Sequence, residues 1–547
     1  MTIRKTICAL VALLLAISSA AFAEVTLSAG GETPICSETV ALTMAIPDDV
    51  YVEDYETNLQ TLLLEEQGNY DLSFMVLPST DYVSKLNLMV QSGDKLPDVI
   101  FGSEGLYPSN AMVYSWAQAG AIVPLTEYIT NPDVAYYFTQ ACERTGLDLI
   151  SMMTMPDGEV YYLPSVNQSY ANASPNKFFI YPSWLETLGM AVPKTTEDLY
   201  ELLKAAQGVD FNGNGKADEI GLFGTFNDKF QGVLPALMNA FVYAGGENYV
   251  TVDHGVVGFA YTTDAWKEGL HYIRKFYEEG LIPMETLTMD SNQFTTLINQ
   301  EDVSAFIFLS NWLGVLNSEN PAANEYRYFE PITGPEGVCF TNYNAVAPKA
   351  TFLVTAECEN VEAAFRLGDL MLSKDHSIIT RWGEQGVDWE YYENLEDKGA
   401  YVSAYTEEFD ISICTFNATF WSEAQNKALR QNGPFIREYS IAAGIGKLPE
   451  AMTPYILTNG ASQMAYNTGE YWPEEVVPVL IYTEDELARV NDKLMALTAR
   501  VDEITAAFLA GNLDIDSEWD AFQKELKDIG IDEVLEVIQG VYDRMYK

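Results

Sequence analysis

The sequence predicts an α/β protein of two lobes, each a mainly parallel sheet flanked by helices, followed by a long helical C-terminal part. Three observations predict it. Apolar runs alternate with helix-spaced segments over residues 40–101, the alternation restarts after a polar stretch near residue 166, and the pattern beyond residue 400 is mostly helical.

In chain order, Arg4 and Lys5 precede an unbroken apolar and small-residue stretch, Ile7 to Ala21. Ala21-Phe22-Ala23 then offers a small-x-small cleavage site before Glu24, so residues 1–23 read as a secretory signal peptide. A membrane anchor is the competing reading, but the apolar core is short for a span of about 20 residues. Cys8 lies inside the signal and Cys36 follows Thr-Pro-Ile, so no lipobox is seen. The expected location is secreted or extracytoplasmic, in the periplasm or at the cell surface.

Residues 24–165 form the first part of lobe 1. Val40 to Ile46 is strand-like and stops at Pro47. Leu59, Leu62 and Leu63 mark a helix, Leu72 to Leu77 a second strand, Tyr82 to Val90 an amphipathic helix, and Val99 to Phe101 a third strand. The polar run from Asn167 to Ser174 reads as a crossover into lobe 2, residues 166–345. There Phe178 to Tyr181 is a strand, and Thr195 to Ala206 a helix with Thr195 and Asp198 as a capping box. Trp266, Leu270, Ile273 and Tyr277 mark a further helix that stops at Gly280.

Residues 346–395 return to lobe 1 with a strand, Thr351 to Thr355, and a helix, Val361 to Leu372. Residues 396–547 are the helical part, expected to pack mainly on lobe 2. Thr483 and Glu486 cap its longest helix, whose apolar stripe runs from Leu487 through Val490, Leu494, Leu497, Val501 and Ile504 to Phe508 before Gly511. The stripe covers fewer than four heptads, so it predicts packing within the chain rather than a coiled coil.

The whole chain has 79 acidic and 30 basic residues and a net charge of −49. Such acidity argues against nucleic acid and anionic membranes as partners. An apolar fraction of 48% is too high for a disordered acidic chain. Beyond the signal five cysteines remain, Cys36, Cys142, Cys339, Cys358 and Cys414, with no CxxC. They predict buried small hydrophobes, with room for one disulfide that the sequence does not assign.

The most specific local motif runs from Asp210 to Glu219. Asp210, Asn212, Asn214 and Asp218 place oxygens at alternate positions around a hard cation, and Gly215 permits the turn that lets them converge. Gly221 stands at the twelfth position, where a sensor loop carries a bidentate Glu, and Ile220 to Phe223 reads as a strand. A structural Ca2+ that pins the loop is therefore expected, not a switch. A polar Asn-Gly turn without metal is the alternative.

Catalytic machinery is not found. His254, His271 and His376 make no metal-ligand pair, and no GxSxG elbow or phosphate loop occurs. Nine Trp, 33 Tyr and 26 Phe are the other resource. Flat rings pack on the C–H faces of sugars, and hydroxyls need amide and carboxylate partners. Asn311 with Trp312, Glu384 with Trp389, and Asn417 with Trp421 are the candidate ligand-binding groups, while Trp266 and Trp519 fall on helix stripes and read as core.

These motifs resemble the large extracellular solute-binding proteins of carbohydrate-type ABC importers, among them alginate- and oligosaccharide-binding receptors. The resemblance is carried by Leu86 to Val99, with Ser92-Gly93-Asp94 and Pro97-Asp98, by Ile180 to Gly189 followed by Pro193-Lys194-Thr195, and by the Asp210 to Glu219 loop. Phe508, Gly511, Trp519 and the helix Gly530 to Tyr546 carry it at the C-terminus. It implies a two-lobed, periplasmic-binding-protein-like fold that closes around a ligand without turnover and docks on a permease with a cytoplasmic ATPase. It also implies that Asp210, Asn212, Asn214, Asp218 and Glu219 give calcium side-chain oxygens and Lys216 its carbonyl. The sequence departs from the family at Pro182, where an Arg usually stands, and in lacking a lipobox. A monomer that binds a neutral or weakly charged oligosaccharide is expected. The alternative is a secreted, calcium-containing polysaccharide-degrading enzyme.

Overall fold

The computed structural model describes residues 25–103, 105–300, 305–317, 321–397, 412–417, 420–442, 445–446, 453–477 and 479–547. The segment with the expected export signal lies outside them. Among the described residues no helix is long and apolar enough to cross a membrane.

Two sheets organise the chain. The first has six strands in the order Phe435–Arg437, Leu163–Asn167, Lys349–Val354, Val99–Phe101, Val40–Pro47 and Tyr70–Leu77. Five run the same way and Lys349–Val354 runs against them. The second has four, Arg327–Phe329, Lys177–Ile180, Ala305–Ser310 and Ile220–Phe223, with only Lys177–Ile180 reversed. In each sheet the reversed strand is the one by which the chain arrives from the other lobe. The α/β, two-lobed architecture is the one the alternating pattern predicts.

Among the described residues burial separates two large cores and two smaller clusters. Met44, Leu86, Ile100, Trp116, Leu163, Phe352 and Phe365 belong to the first. Phe178, Leu202, Leu222, Trp266 and Ile307 belong to the second. The capping boxes at Thr195/Asp198 and Thr483/Glu486 both form, each with reciprocal side-chain to backbone bonds.

The helix Glu484–Leu509 buries Val490, Leu497, Val501, Ile504 and Phe508 in the second core, beside Trp266 and Ile273. Its stripe is thus satisfied within the chain. The helices Ile515–Ile529 and Ile531–Tyr546 join it through Trp519, Phe522, Val534 and Val541. Ile481 and Met545 reach back to the first core. Residues 396–547 are more than a helical appendage, because Phe435–Arg437 pairs with Leu163–Asn167 as an edge strand of the first sheet. All five cysteines beyond the signal are free thiols.

Candidate functional site

Parallel strands deliver their C-terminal ends to one edge of a sheet, and ligands of open α/β folds bind there. On the first sheet that edge carries the residues after Pro47, Leu77, Phe101, Asn167 and Arg437. On the second it carries those after Phe223 and Ser310, with Asn176 at the start of the reversed strand. The chain leaves the first edge at Asn167 and arrives on the second at Lys177, so the two edges adjoin the same passages.

Asn311 and Trp312 follow the strand Ala305–Ser310 directly, at the second edge. The strand is fully buried and its end turns outward, leaving Trp312 46% exposed. The indole lies over Gly314, where a Cβ would come within 2.4 Å of the ring. The backbone on either side is anchored: Asn311 O accepts from Lys177 Nζ at 3.1 Å, and Leu313 N donates to Asn459 Oδ1 at 2.7 Å.

Trp421 lies at the first edge. Arg430 and Arg381 place their guanidinium carbons 4.0 and 4.5 Å from its ring centroid. Arg430 also stacks on Tyr51 and donates through Nε to Asp49 Oδ2 at 2.7 Å, which ties Trp421 to the end of the strand Val40–Pro47. Glu384 is half-buried and paired with Lys427 at 3.3 Å. Lys427 also holds Asp388 at 2.8 Å.

Trp389 does not present a face to a ligand. It is completely buried, and its Nε1 donates to Gly383 O at 2.9 Å. The turn from Glu384 to Trp389 folds the indole inward, where it packs with Ile378, Ile379, Ile413 and Ile441. The structure therefore places Asn311 and Trp312 on one lobe and Glu384 and Trp421 on the other, with Trp389 in a core beneath the latter. Asn417 is partly buried in the first lobe.

Four aromatic side chains that the sequence reading passes over lie where the passages meet. Tyr170 stacks on Tyr439 at 4.3 Å, and Tyr343 on Trp472 at 4.1 Å. Burial raises the Tyr439 hydroxyl pKa, and Tyr343 adds to the effect. Trp472 Nε1 donates to Ser174 Oγ at 2.8 Å, and Ser174 Oγ donates to Tyr466 O. Asn344 and Asn467 bond backbone carbonyls of Asn172 and Tyr170. The result is a half-buried aromatic floor edged by amides. Its only trace in the sequence is the amide-rich run around Tyr170, since the other three rings come from distant, aperiodic segments.

The Asp210 to Glu219 loop lies at the start of the strand Ile220–Phe223, the end away from this edge. Asp210 accepts from the amides of Gly213, Asn214 and Gly215 at 2.7, 3.1 and 2.9 Å. Asn212 and Asn214 accept from the amides two residues on, and Asn214 Nδ2 donates to Asp218 at 3.2 Å. Glu219 Oε1 accepts from Phe211 N and Asn212 N, while its Oε2 is buried without a partner. No cluster of three or more His, Cys, Asp and Glu side chains forms a metal group among the described residues. The oxygens curled inside the loop include two amides, and each carboxylate keeps lone pairs beyond those its hydrogen bonds use. The orphaned Glu219 Oε2 and the inward-turned oxygens fit a hard cation.

Comparison with known proteins agrees with the two-lobed fold. Residues 59–386, more than half of the chain, match the family of bacterial extracellular solute-binding proteins. A fructooligosaccharide ABC transporter substrate-binding protein, FusA of Streptococcus pneumoniae, is 26% identical over 481 residues, covering 85% of this chain and 83% of that protein. The solved structure of FusA with kestose superposes with a TM-score of 0.67 at 23% identity, covering 92% of this chain and 99% of that one. An HMO-binding solute-binding protein of Bifidobacterium longum infantis gives 0.74 at 19% identity, over 93% of this chain and 99% of that one.

Proposed function

The chain belongs to the family of bacterial extracellular solute-binding proteins, and we propose that it is the extracytoplasmic receptor of an ATP-driven importer that closes its lobes around an oligosaccharide. The observation that carries the reading is the two strand-end edges, one on each lobe, furnished with partly exposed aromatics. Trp312 stands on one edge, Trp421 on the other, and Tyr170, Tyr439, Tyr343 and Trp472 lie at the passages between them. Aromatic faces stack on sugar rings, and Asn344, Asn467 and Asn311 belong to the residue class that pairs with hydroxyls. The 26% identity to a fructooligosaccharide receptor favours a fructan-like ligand.

Capture then needs no bond chemistry. The ligand bridges the edges, shifts the population toward the closed form, and the closed form docks on a membrane permease coupled to an ATPase. The exported, monomeric state and a structural Ca2+ belong to the same reading. Asp210, Asn212, Asn214, Asp218 and Glu219 would hold the ion with Lys216 giving its carbonyl, and the ion would fix the loop at the start of the strand Ile220–Phe223.

The test is a thermal-shift screen of the purified protein in calcium against kestose, longer fructans and other oligosaccharides. A ligand that binds the folded state raises the melting temperature by mass action. A hit recovered unchanged from the complex supports the receptor. Cleavage of the hit, or silence across every saccharide, overturns it.

A further inference from the structure

Lys177 is fully buried at the start of the reversed strand, and among the described residues no carboxylate lies within ion-pair distance. Its three N–H bonds go instead to backbone carbonyls. Two belong to the first passage, Ala171 O at 3.4 Å and Ser174 O at closer range, and the third is Asn311 O at 3.1 Å. An ammonium has three donors and no acceptor, so this triad uses its full capacity. On the other side of Trp312, Leu313 N donates to Asn459 Oδ1 at 2.7 Å, and Asn459 is 6% exposed on the helix Thr453–Tyr466.

We propose that Lys177 and Asn459 are positioning residues for ligand capture, which pin the backbone on both sides of Trp312 and lock that platform to the passages where the lobes join. The position of the indole is then set by groups no ligand touches. Ser174 makes the link continuous. Its carbonyl takes Lys177, its hydroxyl accepts from Trp472 Nε1 at 2.8 Å, and Trp472 stacks on Tyr343. A shift of the first passage is thereby passed to Trp312 through one ammonium. Burial without a counter-ion also pulls the Lys177 pKa down to about 7, as expected where carbonyl dipoles alone replace water.

The proposal rests on the reading of Trp312 as a sugar platform, so its test has one arm that needs no sugar. Hydrogen–deuterium exchange by mass spectrometry is compared for the wild type, Lys177→Met and Asn459→Leu. Faster exchange is expected in residues 311–316 for both variants, and in 170–176 for Lys177→Met alone, beyond any uniform increase across the second lobe. Each variant leaves buried backbone groups without a partner, so a lower melting temperature is expected in both. In the sugar arm, kestose affinity should fall about tenfold in both variants, through faster dissociation.

Unchanged exchange in 311–316 overturns the positioning role, whatever the sugar data show. Faster exchange with unchanged kestose binding also overturns it, because the platform would then be loosened without consequence. A wild type that binds no saccharide is the failure of the receptor reading instead, and the exchange arm still decides whether the two residues hold the loop. Should Lys177→Met fail to fold, Asn459→Leu carries the same test from the opposite side.

Discussion

Phe211 lies flat on Trp184, with ring centroids 4.5 Å apart and 7° between the planes. Phe211 is the second residue of the Asp210 to Glu219 loop, and Trp184 is buried in the core of the second lobe. The loop is therefore fastened to the lobe by an aromatic stack, and Phe306 lies against both rings.

Calcium removal should be read through that stack. A cation bound at a hundred times its Kd contributes about 2.7 kcal/mol to the folded state. Chelation should lower the melting temperature and change the near-UV circular dichroism of Trp184. Asp210→Ala should abolish both responses, whereas Phe211→Leu should keep the thermal response and lose the optical one. No thermal response in the wild type would remove calcium from the loop.

Trp312 and Trp389 separate affinity from stability. Trp389 is completely buried and its Nε1 is satisfied by Gly383 O. Trp389→Ala should cost ~3–5 kcal/mol of stability, as large-to-small core changes do, seen as a lower urea midpoint. Trp312 is 46% exposed, and its replacement by Ala should leave the midpoint close to that of the wild type. The same change should weaken oligosaccharide binding by roughly 2 kcal/mol, about thirtyfold, measured by calorimetry. Gly314→Ala should act like a mild Trp312 variant, since the new methyl would meet the indole at 2.4 Å. Equal binding by Trp312→Ala and the wild type would remove Trp312 from the site.

The stack of Tyr343 on Trp472 is open to a double-mutant cycle. The rings come from different passages, 4.1 Å apart at 27°. Tyr343→Leu and Trp472→Leu should each destabilise, and the double variant should lose about 1 kcal/mol less than the sum of the two. Trp472→Leu should cost more than its partner because it also strips the hydrogen bond to Ser174 Oγ. Additive effects would mean that the two rings touch without acting together.

The legible parts of this protein are the local ones. Thr195/Asp198 and Thr483/Glu486 cap helices because the box closes within one turn, so two residues three positions apart carry the whole signal. Pro47 ends a strand because a ring without N–H ends a ladder. The Asp210 to Glu219 loop folds on its own side chains. Trp389 was not legible, because the strand Trp389–Tyr391 alternates faces and only its pairing with Ile413–Thr415 decides which face is inside. The aromatic floor was not legible either, since Tyr170, Tyr343, Tyr439 and Trp472 are brought together by the fold alone. Lys177 carries no sequence sign of its burial, because its acceptors are backbone carbonyls that every residue owns.

His376 gives the chain an acid-sensitive point in the first lobe. It is buried, its Nε2 faces Gln67 Oε1 at 3.2 Å, and its Nδ1 has no partner. Burial lowers its pKa from 6.5 to about 4, against a smaller opposite pull from Asp375. Between those two values the unfolded chain binds more protons than the folded one, so the contribution of His376 to stability falls as the pH drops from 6.5 to 4. At one pH unit per 1.36 kcal/mol the full loss is roughly 3 kcal/mol. Asp369 opposes it over much of the same range. Its burial raises the carboxyl pKa from 3.8 to about 7, so its ionisation costs stability as the pH rises. The whole-protein profile therefore mixes both groups, and the informative quantity is a difference. Urea unfolding of the wild type and His376→Gln at pH 7, 5.5 and 4.5 should show the wild type losing stability relative to the variant with each step down. A difference that stays constant across the three would mean that the imidazole titrates near its ordinary value in the folded chain, with water reaching it in a pocket that the fold here closes.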